Sequence, residues 1–174
     1  MKPLYYNSGT FGFVETSDET YVGWIGQEDP TLRPNMRELA VRISAPVPQN
    51  LAGLVRQLWE SVGGPIWFTP GSHWAYELQD GGEHYMPALL RSVKIDPQPM
   101  EDLNQGSALE FCQDEIDVSS DFLRAVIEQT QITDYGIIFP NAPIIGLVHH
   151  HRQIWWRVKD ATWQTRLREL PAIL

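Results

Sequence analysis

Apolar residues recur along this chain with two periods, and the changes of period mark its elements. Leu51, Leu54, Val55, Leu58 and Val62 follow the i, i+3, i+4, i+7, i+11 spacing of an amphipathic helix. Asn50 stands at its start as an N-cap, and Gly63-Gly64-Pro65 stops it. Just before it, Glu38–Ser44 alternates, with Leu39, Val41 and Ile43 on one side, as in a half-buried strand. After it, Pro65–Thr69 and His73–Leu78 read as two strands around a Pro70-Gly71 turn.

The same rhythm returns further on. Ala108–Cys112 reads as a strand, and Phe122, Leu123, Val126 and Ile127 form a second helical stripe capped by Ser119 or Ser120. Gly136–Phe139, Ile144–Val148 and Ile154–Val158 are strands. A closing helix starts at Asp160, with Trp163, Leu167 and Leu170 on one side and Pro171 as its stop. At the other end, Thr10–Glu15 and Thr20–Ile25 read as a hairpin around a polar turn. The segment His84–Ile95 fits either a short helix or a strand beginning at Val93. The fold expected is α+β: a mixed or mainly antiparallel sheet of about seven to nine strands with three to four helices. Residues 38–78 and 108–148 both read as β-α-β-β, a pattern compatible with duplication or with coincidence, since few identities join them.

Composition narrows the class. A chain of 174 residues with 43% apolar and 20% charged residues fits one globular domain, 1–174. Its seven Trp, six Tyr and six Phe supply an aromatic-rich core. A net charge of −9 argues against a nucleic-acid partner and for an acidic surface that can meet a complementary protein. The single cysteine, Cys112, excludes an internal disulfide and a multi-cysteine metal site. The N-terminus lacks a signal-peptide core, and no apolar run is long enough to span a bilayer, so no membrane role is expected and the cytoplasm is the expected location.

Candidate chemistry is sparse. His149-His150-His151 holds three of the five histidines. On a strand, His149 and His151 share a side and would present two imidazoles to one metal ion, with zinc needing a further ligand. Glu77 shares a strand side with His73, an arrangement suited to acid–base work, although an exposed strand position is the plainer reading. Cys112 within a strand reads as inert packing. Asp114-Glu115-Ile116-Asp117 places negative charge before a helix N-terminus, where it is favourable on its own account. Gly63-Gly64 follows a helix instead of preceding one, so it is no phosphate cradle. The adjacent Trp155 and Trp156 must point to opposite sides of their strand; one belongs to the core and the other needs a helix, a ligand or a partner against it.

The functional expectation is a non-catalytic protein-binding module with an acidic surface, a protein partner, Trp155 and Trp156 as candidate contacts and no cofactor. The alternative is a metal-dependent hydrolase using His149 and His151 with zinc or another divalent metal.

Overall fold

The structure, a computed structural model, describes residues 2–5, 41–44, 48–71, 74–79, 85–95, 107–129, 134–142, 144–149, 153–158 and 161–170. Its strands are β1 (Lys2–Tyr5), β2 (Val41–Ser44), β3 (Ile66–Pro70), β4 (Ser107–Phe111), β5 (Tyr135–Phe139), β6 (Ile144–His149) and β7 (Gln153–Val158). The helices are α1 (Pro48–Val62), the single turn α2 (Trp74–Glu77), α3 (Met86–Ser92), α4 (Ile116–Gln129) and α5 (Ala161–Glu169). The α+β class is as expected, with four helices beyond a single turn among the described residues. The seven strands form one sheet in the order β1-β4-β3-β5-β6-β7-β2, and every described pairing is antiparallel.

Two strand–helix–strand crossovers set this order. Counting antiparallel steps makes β2 parallel to β3, and β4 parallel to β5. A half-turn about the sheet normal relates the directions of the two crossovers. If both take the right-handed path that strand twist favours, α1 and α4 fall on the same side of the sheet. They do, and they pack against each other. The crossovers are not equivalent, however. The first passes three strands and the second only one. In addition, residues 38–78 end in the helical turn α2 where the sequence suggests a strand, whereas 108–148 follows the β-α-β-β pattern in full.

The α2 correction has a simple cause. Trp74, Glu77 and Leu78 are spaced i, i+3, i+4 and are all buried, while Tyr76 is 43% exposed. Alternation suggests a strand here only if Glu77 is taken as a solvent-facing residue. Instead the turn closes with Leu78 N–H donating to the Trp74 carbonyl, and Glu77 faces inward. Helix α3 settles the ambiguous segment: Met86, Leu89 and Leu90 are buried, and Lys94, with φ of 63°, ends it. Strand β1, which carries Pro3, adds an edge strand that hydrophobic alternation does not reveal; proline is tolerated at such edges. The expected hairpin at 10–25 lies outside the described residues, as does the cap at Asp160.

The core lies between the sheet and the helices. Leu51, Leu54, Val55 and Leu58 of α1 and Phe122, Leu123, Val126 and Ile127 of α4 point into it, as their spacing predicts. Phe68 of β3 meets Phe122 edge-on, with ring centroids 5.1 Å apart. Helix α1 ends on two left-handed glycines, Gly63 and Gly64, with φ of 73° and 76°. The Trp59 indole N–H donates to the Gly64 carbonyl at 2.7 Å. Gly64 also sits against the Asn141 side chain, but its positive φ is what calls for glycine there. Helix α4 starts earlier than Ser119 or Ser120. The 3-10 turn Gln113–Glu115 leads into it, and Cys112 with Glu115 forms a capping box. The two serine hydroxyls instead donate back to the Ile116 carbonyl.

Candidate functional site

Strand pleating divides the sheet's side chains between two faces. Ile154, Trp156 and Val158 of β7 belong to the helix-covered core, together with Ile144 and Val148 of β6 and Val41 of β2. Their neighbours in sequence face the other way. The register aligns two rows across this second face. One runs Glu110, Trp67, Ile138, Ile145, Arg157, and the other Thr69, Gly136, Leu147, Trp155, Arg42. Ile138 and Ile145 are buried; Trp67, Leu147 and Trp155 are half-buried; Arg42 and Arg157 are exposed.

Trp155 and Trp156 therefore have separate environments. Trp156 is fully buried, with its ring 6.3 Å from that of Phe139. Its indole edge rests on Gly146, where a Cβ would lie 2.8 Å from the ring. Its N–H has no hydrogen-bond partner among the described residues. Helix α5 helps to cover this side through Leu167. Gly146→Ala is accordingly expected to destabilise the protein by about 1–3 kcal/mol through overpacking. Urea denaturation checks this: an unchanged midpoint would mean that the ring shifts without cost.

Trp155 stands on the second face between β6 and β2. The His149 ring stacks against it, with centroids 4.4 Å apart and planes 7° from parallel. From the opposite strand, the Arg42 guanidinium lies 4.4 Å from its ring centroid. The two partners come from opposite flanks, so both faces of the indole are occupied and one edge is presented outward. Its N–H donates to the Gln153 side-chain oxygen at 2.9 Å. Two places further along β7, on the same face, is Arg157. Arg42 and Arg157 are diagonal neighbours across the β7–β2 pair, at the spacing where long side chains reach one another. Neither forms an ion pair with a described residue.

The surface of α1 and α4 differs, whereas α5 carries a similar pair, with the Arg166 guanidinium 4.7 Å from the Trp163 ring centroid. On α1, on α4 and on the 3-10 turn before it, the acidic excess is plain: Glu60, Asp114, Asp117, Asp121 and Glu128 are exposed there. The arginines of that region are paired, Arg56 with Glu60 and Asp117, and Arg124 with Asp121. The far end of the second face is acidic as well, with Glu110 nearly buried and accepting the Trp67 indole N–H at 2.9 Å. Among the described residues, the β7–β2 end thus carries cations without an ion-pair partner beside an aromatic ring, on a chain whose net charge is −9.

A second polar cluster lies at the end of β5. The Tyr135 hydroxyl, fully buried, donates to the Glu77 carboxyl at 2.7 Å. Burial pushes this hydroxyl far above the ordinary tyrosine pKa, and the neighbouring Tyr85 and Glu77 add to the shift. The expectation of Glu77 on an exposed strand position is corrected: it is 4% exposed. The proposed partner His73 lies outside the described residues.

The remaining sequence candidates disperse. Cys112 is exposed just beyond β4, not packed within it, and its backbone N–H donates to the Glu115 carboxylate. His149 is on β6, but His151 lies outside the described residues. Among the described residues no three His, Cys, Asp or Glu side chains come together as a metal site. No described helix is long and apolar enough to cross a membrane. Arg42 is the site residue that sequence reasoning passed over. The alternation Val41-Arg42-Ile43 turns it away from the core, but only the β2–β7 register places it against Trp155. The chain matches no family model, no curated protein and no solved structure.

Proposed function

We propose that this protein is a non-catalytic protein-binding module of the cytoplasm, and that its contact surface is the β6–β7–β2 end of the second sheet face. Trp155 carries the reading. It is a large, half-buried ring held rigidly by His149, Arg42 and Gln153, with an edge turned outward. A Trp fixed before contact loses little side-chain entropy on binding, and Trp and Arg are the residue types that dominate interface energetics. The alternating strand places Trp156 in the core, so Trp155 alone of the pair serves the surface. The single cysteine supports a reducing compartment. The acidic charge favours a protein over a nucleic acid.

Affinity capture from the protein's own cells, run in parallel with wild type and Trp155→Ala, tests the proposal. The expected result is a stoichiometric protein partner retained by the wild type and weakened at least ~30-fold in the variant, the effect of losing about 2 kcal/mol at a hot spot. Identical capture by both proteins, with the variant folded by circular dichroism, would overturn it.

A further inference from the structure

We infer that the partner presents an acidic segment to this surface, its carboxylates held by Arg42 and Arg157 and its apolar atoms laid on the outward edge of Trp155. The inference rests on the protein-binding reading of that face and adds the chemistry of what is bound.

Charge is the first ground. The chain has 22 acidic and 13 basic residues, so an arginine has acidic neighbours in excess. On α1 and α4, Arg56 and Arg124 have found them. Arg42 and Arg157 have none among the described residues, though both are exposed and sit diagonally on one face. Two unpaired like charges at this spacing repel each other, and an anion placed between them relieves the repulsion. A guanidinium is suited to a carboxylate because its planar donors match the two oxygens. Arg42 is also pre-positioned, since stacking on Trp155 restricts its side chain before any partner arrives.

The ring geometry is the second ground, and it selects the class of partner. A nucleic acid would bring phosphates to the arginines and stack a base on the indole. Both faces of Trp155 are already taken, by His149 and by Arg42. What is left is an edge, which an aliphatic side chain can pack against but a base cannot stack upon. A short peptide stretch with carboxylates next to an apolar residue satisfies both groups at once.

Nuclear magnetic resonance titration of the full chain tests this without knowledge of the partner. The probes are a blocked decapeptide of alternating glutamate and leucine, its lysine–leucine counterpart, and a single-stranded oligothymidine. The acidic peptide is expected to shift the Trp155 indole N–H signal and the β7 and β2 amides with saturable, salt-sensitive binding. Arg42→Gln/Arg157→Gln is expected to weaken that binding at least tenfold, while Arg56→Gln on the helical layer leaves it unchanged. Equal response to both peptides, response to neither, binding of the oligonucleotide at the same signals, or wild-type affinity in the double variant would each overturn the inference. A Trp155-dependent partner captured from cells, with the acidic peptide silent, would refute the acidic segment and leave the protein-binding reading standing.

Discussion

Trp156→Ala is expected to lower the unfolding free energy by about 3–5 kcal/mol, the usual cost of removing a large aromatic from a packed core. Trp155→Ala, one residue away, is expected to cost ~1 kcal/mol or less. The contrast follows from the strand. Trp156 is fully exposed to the core, contacts Phe139 and rests on Gly146, whose missing Cβ makes room for the ring. Truncation there leaves a cavity among side chains that cannot all collapse into it. Trp155 loses its stack with His149 and Arg42 and its hydrogen bond to Gln153, all at a half-buried surface. Globular domains are stable by roughly 5–15 kcal/mol, so the first variant forfeits about a fifth or more of the total and the second very little.

The measurement is paired urea denaturation of the two variants. Similar midpoints would mean that the two rings are equally buried, and the assignment of Trp155 to a binding surface would fail. Trp156→Phe refines the prediction. The indole N–H of Trp156 is buried without a partner among the described residues, an arrangement that costs about 1–3 kcal/mol. Phenylalanine keeps an aromatic ring and removes that donor, so the loss of volume is partly offset, and the variant is expected to fall much closer to wild type than the alanine.

The opposed placement of these tryptophans was legible in the sequence because strand alternation forces it, whatever the rest of the fold. Helices α1 and α4 were legible for a similar reason: their apolar spacing is long enough to exclude a strand. Short elements were not. Trp74–Glu77 spans a single turn, and over four residues the two periods differ only at Tyr76, which is exposed, and at Glu77, whose burial depends on Tyr135, 58 positions away. Cap residues were obscured by chemistry: Cys112 takes a role that Ser or Thr usually fills, so the start of α4 was read too late. The surface site was half legible. Trp155 and His149 belong to the adjoining strands β7 and β6, but Arg42 comes from β2, which lies at the sheet edge beside β7 although it is more than a hundred residues earlier in the chain. Sequence alternation gives the face of a residue; only strand order gives its neighbours.

Tyr135→Phe probes a buried hydrogen bond that this long-range pairing creates, and its effect is expected to depend on pH in a defined direction. At pH 8 the variant should lose about 1–3 kcal/mol, because the Glu77 carboxyl is left without its 2.7 Å donor in a buried setting. Burial raises the pKa of the Tyr135 hydroxyl, with Tyr85 and Glu77 contributing further. In the unfolded chain the same hydroxyl ionises near pH 10. Below that pH both states hold the proton, and this group gives no pH dependence. Above it the unfolded state releases a proton that the folded state keeps, so wild-type stability falls by about 1.4 kcal/mol per pH unit on this account. Phenylalanine has no proton to release. The stability gap between wild type and variant should therefore hold steady up to about pH 10 and then narrow, closing within one or two units. The comparison cancels the contributions of the tyrosines outside this cluster, which both proteins share. Urea denaturation of both proteins from pH 8 to pH 11.5 measures it. A gap that stays constant across the range would show that Tyr135 ionises as readily in the folded protein as in the unfolded one, and that its hydroxyl is not sealed against Glu77 in the core.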